Sequence, residues 1–172
     1  MWIYLDDTFN ADGSSLTSSQ DTVTIISSFI SNSQKNISFN DSSELTLSAD
    51  GSSWTLEQFT PAPTLCSLSP FPGIAGDTIS KITGIPLKIN GYVYAGKIIV
   101  LLSGINTSVT VPIGSFSCSV YEIDIFVGDT IALRTLIYVS GSAGVVQKEY
   151  YAFDPKSGNL YLSERKRLIY LK

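Results

Sequence analysis

The sequence predicts an all-β protein with the architecture of a β-sandwich or jelly roll. Short runs of alternating, β-branched or aromatic residues recur at roughly ten-residue spacing, separated by Gly, Pro, Asn and Asp. Charged residues make up only 15% of the 172 residues, so Ser, Thr, Asn, Gly and Tyr must cover much of the surface. A chain of this length buries enough surface to fold without a metal or disulfide.

The first predicted strand is the apolar run Met1–Leu5, which leads directly into Asp6 and Asp7. This run is shorter than the apolar region of a signal peptide and no basic residue precedes it. We therefore expect the protein to be made in a cytoplasm and not exported by the ordinary route.

The segment Thr17–Ile30 has two interpretations. Val23, Ile26 and Ile30 recur at helical spacing, which allows a short helix near residues 17–30. The β-branched residues in its middle have restricted χ1 rotamers in helices, so we favour a strand. The apolar residues of this Ser/Asn-rich region are expected to be buried beneath polar outward faces: Val23, Ile25, Ile26, Phe29, Ile37, Phe39, Leu45 and Leu47.

Two hairpins follow from turn signals. Glu44–Ser48 and Ser53–Glu57 both alternate, with Asp50-Gly51 between them. Leu87–Ile89 and Tyr92–Tyr94 flank Asn90-Gly91 in the same way. Further strands are predicted in the second half of the chain: 97–102, 108–111, 115–127, 130–140, 145–153, 160–162 and 167–171.

Domain organisation is left open between two readings. A Pro-rich linker or crossover at 61–73 separates a Ser/Thr/Asn-rich β segment, 1–60, from a jelly-roll-like sandwich, 74–172. A single domain with a long crossover accounts for the sequence equally well.

Charge is distributed unevenly along the chain. The first 80 residues hold nine of the fifteen acidic residues but only Lys35 among the basic ones. The cluster Arg165–Arg167 is interpreted as a solvated end, because the other basic residues are dispersed and no nucleic-acid surface is expected. An acidic and a basic face on one molecule also suggest head-to-tail contact between copies.

Several classes of chemistry are excluded or disfavoured. The chain has no His, which excludes Ser-His-Asp and Cys-His catalysis and His-ligated zinc. No apolar run is long enough for a membrane-spanning helix, and no cofactor, metal or catalytic residue is predicted. Glu122 and Asp124 share a strand face, but a solvated strand face is favoured over a glycosidase pair. Cys66 and Cys118 are expected to be packed, reduced thiols, with a disulfide formed later outside the cell as the alternative.

Aromatic residues give a candidate glycan site. Tyr92 and Tyr94 share one strand face, and Trp54 lies in the first predicted hairpin. Exposed aromatic rings stack on sugars and bury area at low entropic cost. These three residues are the candidate stacking positions, with half-buried strand residues as the simpler interpretation.

A long strand, a Gly-Asp turn and another strand occupy Tyr121–Leu133. This stretch resembles a late hairpin of C1q/TNF-like and carbohydrate-binding-module jelly rolls. No sugar- or metal-binding residue is carried over from those families.

The whole-chain profile resembles bacteriophage virion proteins of the tail-fibre, baseplate or capsid-decoration type, including its C-terminal hairpin Phe153–Leu162. The resemblance implies a non-enzymatic structural protein of the virion that forms a homo-oligomer, such as a trimer, or docks on other virion proteins. The alternative function is a glycan-binding module for a host surface glycan. The predicted interface consists of apolar edge strands near the two ends of the chain, with Trp2, Tyr4, Leu168 and Tyr170.

Overall fold

The computed structural model describes residues 1–48, 54–59, 65–68, 74–89 and 92–172. These residues form strands throughout, with no helix among them. The strands are β1 (Trp2–Phe9), β2 (Ser15–Val23), β3 (Ile25–Ser31), β4 (Gln34–Phe39), β5 (Glu44–Ser48), β6 (Trp54–Phe59), β7 (Leu65–Leu68), β8 (Thr78–Ile89), β9 (Tyr92–Val111), β10 (Gly114–Val127), β11 (Thr130–Ser140), β12 (Gly144–Asp154) and β13 (Asn159–Leu171).

The strands form two antiparallel sheets. The large sheet has eight strands in the order β2-β1-β13-β12-β11-β10-β9-β8, and the small sheet has five in the order β3-β4-β5-β6-β7. The predicted all-β sandwich is confirmed, and β2 and β3 replace the helix considered for 17–30. From β8 to β13 the strand order is a meander, in which tight turns such as Gly128-Asp129 return each strand beside its predecessor, and β1 pairs out of sequence with β13.

The sheets divide the chain differently from the predicted segments 1–60, 61–73 and 74–172. β1 and β2 join the large sheet with strands from the second half of the chain, and the chain passes to the small sheet at Thr24. β7 lies inside the predicted linker, and residues 60–64 and 69–73 lie outside the described part of the chain.

The predicted hairpins are present where the structure describes them. Leu45 of β5 pairs with Leu56 of β6, and Ile89 of β8 pairs with Tyr92 of β9. The turn dipeptides Asp50-Gly51 and Asn90-Gly91 lie outside the described residues.

The main core lies on β8 to β11 of the large sheet. Alternate residues of each strand project to one face, so β-branched residues from neighbouring strands meet in a single layer. Leu45 and other partly buried residues pack against this layer. The buried members of this cluster are Ile85, Ile98, Val100, Leu102, Tyr121, Ile123, Ile125, Ile137 and Val139.

A second core forms where the long β9–β10 hairpin meets the other strands of the large sheet. The β9–β10 register shifts next to Val120, and Asn106 has a positive φ of 53°. Such irregularities bend a strand pair. The outer part of the hairpin thereby contributes to one cluster with β1, β12 and β13, whose buried members are Tyr4, Val109, Val111, Cys118, Ala143, Val146 and Leu168.

Cys118 is a buried free thiol in this second core, as expected from the sequence. Burial raises the pKa of this thiol to about 11, because the thiolate is the form that loses most solvation. Cys66 lies on β7, and its side chain is outside the described residues.

Opposite charges of β1, β2 and β13 neutralise one another within the molecule. Lys166 Nζ lies 3.0 Å from Asp21 Oδ2 and 3.4 Å from Asp6 Oδ2. Arg167 Nη2 lies 2.6 Å from Asp7 Oδ2, and Asp7 is almost fully buried. The side chains of Arg165–Arg167 are thus partly exposed and engaged in ion pairs within the molecule.

These ion pairs also weaken the hypothesis of head-to-tail contact between copies. Three of the nine acidic residues of the first 80, Asp6, Asp7 and Asp21, contact β13 of their own chain. Acidic residues from the first part of the chain thus pair with basic residues of β13 where β1 joins the large sheet.

We predict that Asp7→Asn weakens the fold at neutral pH and changes its response to acid. Burial alone raises the pKa of Asp7, but hydrogen bonds from Ser18 and Arg167 and the Arg167 charge outweigh it and leave this pKa below its ordinary value. A lowered folded-state pKa stabilises the fold above the unfolded pKa of about 4, and this contribution is lost as pH falls through the folded value.

The free energy of unfolding should therefore fall by about 1.5–3 kcal/mol at pH 7 in Asp7→Asn, measured by urea denaturation. The difference from wild type should shrink as pH falls below about 4. Asp129→Asn, at an exposed turn, serves as the control. A pH-independent difference would contradict the assignment.

Candidate functional site: an exposed edge strand

Among the described strands, the sheet order identifies four edges: β2 and β8 in the large sheet, and β3 and β7 in the small sheet. An edge strand presents unpaired backbone N–H and C=O groups and is the natural place for another chain to pair. The four edges differ in how well they are protected.

The edge-strand basis of the predicted interface is corrected by this order. β1 and β13 pair with each other and are flanked by β2 and β12, so neither is an edge. Tyr4 and Leu168 are buried, and the Tyr4 hydroxyl donates to Val145 O at 2.8 Å. Trp2 Nε1 donates to Ala143 O at 2.9 Å, and only Tyr170 is exposed. The sequence alone does not show that opposite charges bring the two strands side by side.

β3 is exposed along its whole length. Ile30 retains 80% of its accessible surface, Ile26 67% and Phe29 55%, and Ile25 is also exposed. Phe29 and Ile30 are neighbours in sequence and so project to opposite faces of the strand. The expectation that Ile25, Ile26 and Phe29 are buried is therefore wrong, whereas Ile37 and Phe39 on β4 are buried.

β3 lacks the features that normally protect an edge. The chain carries no charge between Asp21 and Lys35 and no proline in that interval. Proteins protect edges with charged residues, Pro or very short strands. β8 carries Lys81, Pro86 and Lys88, and β7 has only four residues.

β2 provides a useful comparison with β3. It carries one exposed large hydrophobic residue, Leu16, at 59% accessibility, among Ser and Thr residues. Its Ser18 hydroxyl donates to Asp7 Oδ1 at 2.7 Å, and Asp21 contacts Lys166. The polar residues of β2 thus serve its own sheet, whereas the apolar residues of β3 contact solvent.

Asn40 holds the crossover that places β3. Its side-chain Oδ1 accepts from Thr24 N at 2.8 Å, and its Nδ2 donates to Thr22 O at 3.0 Å. Its backbone N donates to Thr24 O at 3.1 Å. The next turn, Asn32-Ser33, has positive φ at both residues, the geometry of tight hairpin turns that suit twisted strands.

The predicted glycan-stacking residues are only partly described. Tyr94 is exposed on β9. Tyr92 and Trp54 begin β9 and β6, but their side chains are outside the described residues. One exposed aromatic ring does not by itself make a stacking platform.

Glu122 and Asp124 do share one face of β10, and both bind Arg134 of β11. The contacts are 2.8 Å from Arg134 Nη2 to Glu122 Oε1 and 2.7 Å from Arg134 Nε to Asp124 Oδ1. Burial raises the pKa of Glu122, and the Arg134 charge opposes this shift. The two carboxylates are engaged in cross-strand ion pairs, and the expected solvated face is wrong for Asp124, which is buried.

Comparisons with protein-family models, with curated proteins and with solved structures found no match for this chain. Within the described residues, no helix is long and apolar enough to cross a membrane, and no three His, Cys, Asp or Glu side chains cluster as metal ligands.

We predict that Asn40→Ala loosens the small sheet locally. Two hydrogen bonds to the crossover are lost, each with a net contribution of about 1 kcal/mol. Amide hydrogen exchange should accelerate in β3 and β4 and stay unchanged in β10 and β11. Asn159→Ala, at the exposed first residue of β13, is the control. Unchanged exchange in β3 would show that Asn40 does not hold the crossover.

Proposed function

We propose that this chain is a non-enzymatic structural protein whose copies associate by pairing their β3 strands. The observation that carries the proposal is the exposed, uncharged and apolar edge of the small sheet, residues Ile25–Ser31. The setting we propose is a bacteriophage virion, in which the chain is one unit of a tail, baseplate or capsid decoration.

A second copy of the chain is the occupant that fits β3. Antiparallel pairing around Ser28 places Ile26 opposite Ile30 of the second copy and, by symmetry, Ile30 opposite Ile26. Both residues are among the most exposed apolar side chains of the described chain. Each cross-strand apolar pair contributes about 0.2–1 kcal/mol to the stability of the paired strands. Because β3 is uncharged, it meets no like charge when it pairs with β3 of the second copy.

Backbone hydrogen bonds between the two β3 strands supply the rest of the free energy of association. A strand added to an edge gains hydrogen bonds along its length, and Ser27, Ser28 and Ser31 keep the strand compatible with water while it is unpaired. The result of such pairing is a sheet continuous across two copies.

The mass in solution tests this proposal. Size exclusion with light scattering should give an oligomer for the wild type and a monomer for Ile30→Lys, because a charge at the edge opposes pairing. Leu16→Lys, a matched change on β2, should behave as the wild type. A monomeric wild type at high concentration, or equal effects of both variants, would overturn the proposal.

Salt distinguishes this mechanism from charge-mediated contact. The basic residues of β13 are already paired within the chain, so raising the ionic strength should leave the oligomer intact. Dissociation at high salt would point to head-to-tail charge contacts instead.

Placement in a virion needs a separate measurement. Antibodies against this chain should label purified virions in electron micrographs. They should also detect the chain among the separated proteins of those virions. Particles that lack the chain would reject the virion setting while leaving self-association intact.

A further inference from the structure

A cavity of about 420 Å³ lies between the two sheets, apart from the exposed edge of β3. Trp2 and Phe39 form one wall, which we call the aromatic wall, with ring centroids 5.3 Å apart and an edge-to-face angle of 78°. Val23, Leu45 and Leu171 extend the apolar lining. The volume falls in the range of small-molecule sites, about 300–1,000 Å³.

Two donors on β12 line this cavity without an acceptor among the described residues. Lys148 and Tyr150 are two apart on one strand, so their side chains share a face. No hydrogen bond or ion pair joins Lys148 Nζ or the Tyr150 hydroxyl to another described residue, although most buried polar groups have a partner.

The electrostatic setting of Lys148 is unusual for a lysine. Burial lowers its pKa, and the nearby Asp41 and Asp21 carboxylates oppose this shift. Burial also raises the pKa of Tyr150 to about 12, so its hydroxyl stays protonated and can donate.

The carboxylates of Asp21 and Asp41 also line the cavity, and one oxygen of each already has a partner. Asp21 Oδ2 lies 3.0 Å from Lys166 Nζ. Asp41 Oδ1 accepts from Ser43 N at 3.0 Å and from the Ser43 hydroxyl. Lys148 is thus left as a donor without a contacting anion beside the apolar lining.

We propose that this cavity binds a small amphiphilic carboxylate. Its head group accepts hydrogen bonds from Lys148 and Tyr150, and its apolar body lies against the aromatic wall. A charge-assisted hydrogen bond in a partly desolvated site is about twice as strong as a neutral one, which selects a carboxylate over an alcohol. The proposal is independent of pairing through β3.

Calorimetric titration of the full chain at pH 7 with octanoate, octanol and octylamine tests the ligand class. Octanoate should bind at least about tenfold more tightly than octanol, because only the carboxylate gains charged hydrogen bonds. Octylamine should bind weakest. Tighter binding of octylamine, or no binding of octanoate at millimolar concentration, would overturn the proposal.

Variants test the named donors. Lys148→Met keeps the apolar stem and should weaken octanoate binding about tenfold or more while leaving octanol binding unchanged. Lys148→Arg should retain most of the affinity, and Tyr150→Phe should lower it by a smaller factor.

Two controls keep the result interpretable. Lys156→Met, in an exposed turn, should bind as the wild type. Circular dichroism establishes that each variant is folded. Equal octanoate affinity in folded Lys148→Met and wild type would show that Lys148 does not hold the head group.

Discussion

The pairing of β1 with β13 is the constraint on which the rest of this structure depends. It inserts the first strand between β2 and the last strand, with Asp6 opposite Lys166 and Tyr4 opposite Leu168. The ion pairs of Lys166 and Arg167 stabilise this register, because a shift of one residue would turn every charged side chain of β1 to the other face of the sheet. The same register directs Trp2 and Tyr4 towards the cavity and carries β2 to the edge of the large sheet.

The position of β2 in turn determines the exposure of β3. Only Thr24 separates these strands, so the chain leaves the edge of one sheet and enters the edge of the other. β4 covers one side of β3 and no described strand covers the other. An apolar strand in this place is a liability for an isolated copy and an advantage for a protein that assembles. The exposed apolar residues of β3 are thus better explained by association than by the stability of one copy.

Much of the fold could be predicted because its signals are local. Alternation and turn residues place the hairpins, and χ1 restriction correctly favours strands over a helix at 17–30. The partners of β1 could not be predicted, because they depend on contacts across almost the whole sequence. For the same reason the interior position of Trp2 and Leu168 was missed. The sequence of β3, Ile-Ile-Ser-Ser-Phe-Ile-Ser, does indicate an unprotected edge, because the strand is uncharged and has apolar residues on both faces. The same pattern also suits a strand of the core, which is the interpretation favoured from the sequence.

The unpaired lysine of the cavity follows from an unequal division of carboxylates between Lys148 and Lys166. Lys148 and Lys166 are direct cross-strand partners on β12 and β13, an arrangement in which like charges repel. Lys166 stands next to β1 and contacts Asp6, Asp21 and Glu164. Lys148 lies one strand further from those acids, where no carboxylate contacts it. The pairing of β1 with β13 therefore gives Lys166 its carboxylate partners and leaves Lys148 as an unpaired donor. An anionic ligand between the sheets supplies the contact that the chain itself does not.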